Sequence, residues 1–287
     1  MQEKKRGRTH SRWLLPAALV LAGAAWFENF TLSTSTVTAA CAALPEAFSG
    51  LRIVQISDLH GRRFDAESRY LLELVRLQSP DLIALTGDLA DEFTDFSMLP
   101  PLLDGLTALA PTFYVTGNHE CVLSREKREA LFSMLDAAGV VRLQNEYRLL
   151  KKGQASIVLA GVDDPNGPYD QKRPAQLVRE IRQSRGRDAY ILMLSHRNDE
   201  LDLWANMGVQ TVLCGHGHGG IVRLPFVGAV FGTHLDLFPD YTAGLYRKGQ
   251  TSMIVSRGLG GSRKLPLRIG NRPEIVTVIL KAESGKV

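Results

Sequence analysis

Thiols are scarce in this chain of 287 residues: Cys41, Cys121 and Cys214 are odd in number and widely spaced. That excludes a disulfide framework, and with no Cys-x-x-Cys pair a thiolate zinc site is excluded too. The body of the chain also lacks a charge surplus. Of 34 basic and 30 acidic residues, Lys4, Lys5, Arg6, Arg8, Arg12 and Glu3 lie in residues 1–12, which leaves 29 of each beyond them. A nucleic-acid binder carries its basic excess on the folded domain, so tight polyanion binding is disfavoured. No repeat or low-complexity linker interrupts the chain. Its composition, 45% hydrophobic and 22% charged, is that of a globular protein with a sizeable core.

No apolar run reaches the ~20 residues of a typical membrane span. The most apolar segment, Trp13–Phe27, has 15 residues without a charge. As a helix it covers about 22 Å, less than the ~30 Å hydrocarbon core. A cleaved signal peptide fits the basic start and the small residues Ala22-Gly23-Ala24. An uncleaved anchor fits the flanking tryptophans. A buried soluble helix is the third reading, and the basic flank argues against it. The expectation is a basic tail at 1–12, a membrane anchor at 13–27 and one catalytic domain at 28–287. Positive residues favour the cytoplasmic side, which puts the domain outside, with secretion after cleavage as the alternative.

What the chain does have is a strand–helix alternation. Phe30–Ala39 reads as an edge strand, and Leu51–Ser57, Asp81–Thr86 and Thr112–Thr116 as core strands. Helices are expected near 70–77, 102–109, 124–138 and 174–184. Strands follow at 140–143, 147–150, 157–160, 190–194 and 210–213, and again at 253–256 and 275–280. This order predicts an α/β layered domain.

After five of these strands come polar clusters: Asp58-Leu59-His60, Gly87-Asp88, Gly117-Asn118-His119-Glu120, Ser195-His196 and Gly215-His216-Gly217-His218. Each alone has an ordinary explanation: a helix cap for Asp88, an Asn-centred turn for Asn118, a satisfied core histidine for His196, a flexible loop for the glycine-rich run. Strand ends are where an α/β sheet gathers functional groups. Convergence would combine carboxylates, imidazoles and one amide, a donor set that suits two divalent cations and phosphoester hydrolysis. On an ideal strand Asp58 and His60 point the same way, and the Asp88 carboxylate is expected to bridge through its two oxygens.

With these five blocks in this order, residues 50–220 resemble the calcineurin-like metallophosphoesterases. Tyr241–Tyr246 and Ser256–Gly260 look like the membrane-associated bacterial branch of that family. Gly217 departs from the pattern, where Thr is usual. The resemblance implies a β-sandwich flanked by helices, the αββα type. It implies that Asp58, His60, Asp88 and His218 hold one metal and that Asp88, Asn118, His196 and His216 hold the other. His119 is the implied catalytic residue, protonating the leaving oxygen or stabilising developing charge. Two cations ~3.5–4 Å apart lower the pKa of a shared water for in-line attack on phosphorus. Oxygen and imidazole donors suit Mn²⁺, Fe or Zn²⁺.

The expected activity is hydrolysis of a phosphodiester or pyrophosphate in a small-molecule or lipid substrate, one linked to the envelope given the anchor. A non-catalytic binding module and a nucleic-acid or nucleotide phosphodiesterase are the alternatives. Asp91 and Glu120 are candidates for orienting the ligands, His234 and Asp236 for lining the site. Cys121 reads as packing. Seven basic residues between Ala243 and Pro273 (Arg247, Lys248, Arg257, Arg263, Lys264, Arg268, Arg272) offer an anion-binding face or a solvated one.

Overall fold

The computed structural model describes residues 11–168, 170–233, 235–261 and 268–283. After helix α1 (Ser11–Phe30) and strand β1 (Ser33–Cys41), the chain builds β2 (Arg52–Ile56), α2 (Arg69–Leu77), β3 (Leu82–Thr86), α3 (Leu99–Leu109) and β4 (Thr112–Val115). Next come the short α4 (Asn118–Val122), α5 (Arg125–Ala137) and β5 (Val141–Arg142). The second half holds β6 (Glu146–Lys152), β7 (Ala155–Gly161), α6 (Pro174–Arg185), β8 (Ile191–Leu194), α7 (Leu201–Asn206) and β9 (Thr211–Cys214). It ends with β10 (Val222–Leu224), β11 (Gly228–Phe231), β12 (Gly244–Lys248), β13 (Thr251–Val255) and β14 (Glu274–Ala282).

These strands form two six-stranded sheets, in the orders β1-β14-β2-β3-β4-β5 and β12-β13-β9-β8-β7-β6, plus the β10–β11 hairpin. Strand pleating sends successive side chains to opposite faces, and the core follows that rule. Ile53 packs between the sheets with Val115, Leu192 and Leu213, while Val54 and Ile56 pack outward with Leu71, Leu102 and Leu131 of α2, α3 and α5. On the far side α6 and α7 bring Ile181 and Trp204 onto Val158 and Val212. The architecture is therefore the expected α/β sandwich with helices on both outer faces. Because β3 is covered on both sides, all five of its residues are buried, which explains an unbroken apolar run rather than an alternating one.

Most predicted elements form close to their expected bounds. Helix α3 starts three residues earlier than its apolar spacing suggests, since Pro100 and Pro101 sit in its first turn, where a missing N–H costs nothing. The segment expected as an anchor is helical from Ser11 to Phe30. Among the described residues no helix is long and apolar enough to cross a membrane. The half-buried acidic Glu28 and the polar Asn29 end the apolar stretch of α1, and Asn29 is buried against the domain.

Candidate metal centre

Strands β2, β3 and β4 run parallel in one sheet, as do β8 and β9 in the other. Their C-terminal ends therefore open on the same edge of the sandwich and release the five clusters there. Gln55 ties the sheets together just below that edge, donating to Thr86 Oγ1 at 3.0 Å and to the Cys214 carbonyl at 2.8 Å.

The reason the ligand-type side chains converge differs from the sequence expectation. Asp58 and His60 do not share a strand face, because β2 ends at Ile56. Instead Asp58, His60, Asp88, His216 and His218 all adopt left-handed backbone, with φ of 50°, 49°, 52°, 66° and 49°. That conformation costs non-glycine residues about 1–3 kcal/mol each and collects at functional sites. Hydrogen bonds hold it in place: the Asp58 N–H donates to the Gly87 carbonyl (3.0 Å) and the His60 N–H to the Asp88 carbonyl (2.9 Å).

Two groups of donor atoms result, each within 4.8 Å: Asp58, His60, Asp88 and His218, and Asp88, His196 and His216. In the first, His218 Nε2 lies 3.5 Å from Asp58 Oδ1 and His60 Nε2 lies 3.6 Å from Asp88 Oδ2. In the second, His196 Nε2 is 3.2 Å from Asp88 Oδ2, 3.1 Å from Asn118 Oδ1 and 3.3 Å from His216 Nδ1. The sequence expectation had Asp88 bridging through both oxygens. The structure turns one oxygen, Oδ2, toward both groups, because Oδ1 accepts the His119 N–H at 2.8 Å.

The residues fit a pair of cations. His60 Nε2 and His218 Nδ1 are buried without a hydrogen-bond partner, an arrangement that is costly for imidazoles unless the site supplies a ligand. His196 Nδ1 lies 2.8 Å from the Thr86 carbonyl; donating there fixes the tautomer and leaves Nε2 as the coordinating lone pair. A third group, His60, Asp91 and His119, lies alongside: Asp91 faces His60 Nδ1 at 3.7 Å, beyond hydrogen-bond reach.

Burial is the largest influence on the histidines. It pushes His60 down to about 4, helped by His218. His218 falls to about 3, with Arg268 adding to burial, and His216 to about 2, with His196 and Arg197 adding. All three are neutral at pH 7, as metal ligands must be. For His196 burial also opposes charge, but Asp88 and Asp58 outweigh it and raise the ring to about 10, so a cation taken up at Nε2 would displace a proton from that nitrogen. Burial likewise raises Asp58, with Asp88 adding to it. Burial acts on Asp88 in the same direction, yet His196 and His60 overcome it and hold the carboxyl well below its usual range.

Glu120 does what the sequence suggested. Fully buried, its carboxylate accepts the N–H groups of Gly117 (2.7 Å), Asp88 (2.9 Å) and Ala90 (3.1 Å), which fastens one ligand loop to another. His119 stands edge-on to His60 with ring centres 4.6 Å apart. Its Nδ1 is buried and without a partner. Gly217 has a local cause: a Cβ there would lie 2.6 Å from Asn198 Nδ2.

Three supports were missed. Arg197 grips Asp164 with two hydrogen bonds, of 2.6 and 3.1 Å, and turns its third nitrogen to His216 Nε2 at 3.0 Å. Its position directly after His196 was the only available signal. Asn271 donates to the His218 and Gly220 carbonyls at 2.8 and 2.6 Å. Arg268, expected on an anion-binding face, is instead buried and donates to backbone carbonyls including that of His218. Arg257 pairs with Glu274 and Lys248 with Asp202, so these residues do not form one basic patch. Arg263, Lys264 and His234 lie outside the described residues, and Asp236 lines a cavity of about 330 Å³ beside His216.

With this geometry in place, the comparisons agree on the class. Residues 51–220 match the calcineurin-like phosphoesterase family model, and the chain belongs to that family of hydrolases. It is 31% identical to an uncharacterized metallophosphoesterase, YkuE, of Bacillus subtilis (strain 168), over 90% of this chain and 89% of that one. It is also 31% identical to the phosphodiesterase YaeI of Escherichia coli (strain K12), over 80% of this chain and 82% of that one. A transmembrane protein with metallophosphoesterase domain from Danio rerio is 27% identical, over 83% of this chain and 55% of that one.

Proposed function

We propose that this protein is a membrane-associated phosphodiesterase that works with two divalent cations on a phosphorylated small molecule or lipid headgroup. The observation that carries the reading is the position of Asp88 Oδ2, 3.2 Å from His196 Nε2 and 3.6 Å from His60 Nε2. In this reading Asp58, His60, Asp88 and His218 hold one cation, and Asp88, Asn118, His196 and His216 the other. Mn²⁺, Fe and Zn²⁺ suit these donors. The cations supply Lewis-acid charge and a water of lowered pKa.

The chain's own residues do the rest. Glu120 fixes the loop that presents Asp88, and Arg197 sets the edge of His216. His119, in reach of the cleft and close to His60, delivers a proton to the leaving oxygen or stabilises its charge. The cavity beside His216 takes the organic group. Asn198, Asp199, Asp236 and Thr242 on its walls suit hydroxyls or an amine. The name phosphodiesterase carried by the Escherichia coli relative supports diesters over monoesters.

For the location, the apolar helix α1 holds the domain at a membrane, in keeping with the bacterial membrane-associated branch and with the name of the Danio rerio relative. Release of the domain by cleavage of this segment is the alternative.

The test is hydrolysis of an aryl phosphodiester and an aryl phosphomonoester by metal-stripped protein, with and without Mn²⁺, beside His119→Ala and Asp88→Asn. The expected result is metal-dependent diester hydrolysis, lowered roughly 10²–10³-fold in His119→Ala with metal content intact. Asp88→Asn is expected to lose both metals. Full activity in His119→Ala removes that residue from the mechanism, and metal-independent turnover overturns the reading.

A further inference from the structure

Beyond the Gly-His-Gly-His loop the chain carries an apolar surface that the catalytic reading does not use. β10 and β11 form a hairpin outside both six-stranded sheets. Its connection is Pro225-Phe226-Val227, and Leu224–Phe231 contains no charged residue. Turns facing water are ordinarily built from small and polar residues. Here Leu224 is 50%, Val227 59% and Phe226 fully exposed. The returning chain adds Leu235, Leu237 and Phe238, at 60%, 63% and 63%. It lies along the hairpin, since Leu237 bridges to Phe231 and the Phe238 N–H donates to the Val230 carbonyl at 2.9 Å. Single exposed apolar residues are ordinary, whereas a contiguous group marks an interaction surface.

This surface joins the end of α1. The Asn29 side chain makes a reciprocal pair with the Arg268 backbone, donating at 3.1 Å and accepting at 2.8 Å. The next residue, Ile269, is 56% exposed and exchanges backbone hydrogen bonds with Ile221 (3.1 Å) and Arg223 (2.8 Å) at the hairpin. Adjacent residues thus make the contact to the helix and the contact to the hairpin. At the helix end Phe27 and Phe30 are exposed, with the Arg272 guanidinium 4.4 Å from the first ring centre and that of Arg62 5.5 Å from the second. Aromatic rings beside cations are the composition of a headgroup layer.

We propose that the β10–β11 hairpin, with the returning chain to Phe238, is a second membrane contact that seats its apolar tip at the headgroup–acyl boundary of the bilayer bound by α1. The inference rests on the membrane reading of α1 given above. A bilayer is favoured over a second copy of the chain because the surface continues through Ile269 into the aromatic end of the helix, where Arg62 and Arg272 complement lipid phosphates. The hairpin begins four residues after His218, and the returning chain gives Thr233 and Asp236 to the cavity beside His216. Seating the hairpin therefore turns the metal cleft toward headgroup phosphates and selects esters presented at the membrane plane.

The test uses the full chain with vesicles of phosphatidylethanolamine and phosphatidylglycerol. Val227→Cys and, separately, Leu19→Cys carry an environment-sensitive fluorophore; the native thiols are buried or half-buried. The expected result is a blue shift at both positions on adding vesicles, with quenching by lipids spin-labelled near the headgroup. A Val227 label that stays water-like while the Leu19 label enters the bilayer overturns the inference and leaves the α1 reading standing. If neither label enters, both fall. A Val227 blue shift that grows with protein concentration without vesicles assigns the surface to a second copy and also overturns it.

Discussion

The Glu120 carboxylate accepts the backbone N–H of Asp88 at 2.9 Å, so one buried acid sets the position of the other. Asp88 can turn Oδ2 toward both histidine groups only while its backbone stays in the left-handed well, at φ 52°. Glu120 also holds Gly117, the residue before Asn118, at 2.7 Å. Substitution by Ala orphans three buried N–H groups, each worth about 1–3 kcal/mol. Glu120→Ala is expected to lower stability by about 3–5 kcal/mol and to bind fewer than two metals. Glu120→Gln, which keeps one acceptor oxygen, is expected to fold with weakened metal affinity. Thermal unfolding and elemental analysis of the two variants check this.

Close approach gives a second prediction. A Cβ at position 215 would lie 1.9 Å from Ser57 Oγ and 2.3 Å from Asp58 Oδ2. Gly215→Ala must therefore displace Asp58, which also accepts the His216 N–H at 3.0 Å. The expected outcome is a folded protein that loses the cation held by Asp58 and His218 first. Titration with Mn²⁺ read by electron paramagnetic resonance shows whether one site or both weaken.

Arg197 meets Asp164 with a two-point fork that lysine cannot reproduce. Arg197→Lys is therefore expected to behave much like Arg197→Ala, with kcat/KM down roughly 10-fold, the scale of one lost charge-assisted hydrogen bond at about 1.4 kcal/mol. Steady-state kinetics on an aryl diester checks it, and full activity in Arg197→Lys would show that the fork geometry is not used.

Glu200 gives a pH prediction. Burial pushes its carboxyl up to about 7 from the ordinary 4.5, and Asp199 adds to this. The folded state thus disfavours the ionised form that the unfolded chain adopts first. The Glu200 contribution to stability is expected to fall as pH rises through this window, with its loss complete above pH 7. Glu200→Gln removes the penalty, so its advantage is absent near pH 4 and reaches about 1–2 kcal/mol near pH 8, allowing for solvent screening. Denaturant melts at the two pH values measure it.

Much of this was legible in the sequence because strands buried on both faces read as unbroken apolar runs, as at Leu82–Thr86, and because each polar cluster directly follows one. Individual donor positions were visible for the same reason. The left-handed backbone of Asp58 and His60 was not, since it comes from hydrogen bonds to Gly87 and Asp88, some 30 residues away. Nor was the burial of Arg268, whose partners include carbonyls at 218 and 260. A basic residue in a polar run reads as solvated until the loops it braces are placed. The β10–β11 hairpin escaped because three- and four-residue strands carry too little periodicity to register.

The position of β14 has a bearing on how the molecule is made. This strand lies between β1 and β2, pairing in parallel with Ser33–Cys41 and antiparallel with Arg52–Ile56. A ribosome delivers β1 and β2 early and β14 more than 200 residues later. Until β14 emerges, the first strand has no neighbour within its sheet, and the gap beside β2 stays open. The strand order therefore sets a clock: the sheet that carries Asp58 and Asp88 closes only once β14 has emerged, and until then the nascent chain needs protection of its unpaired edges from proteases and from pairing with other chains.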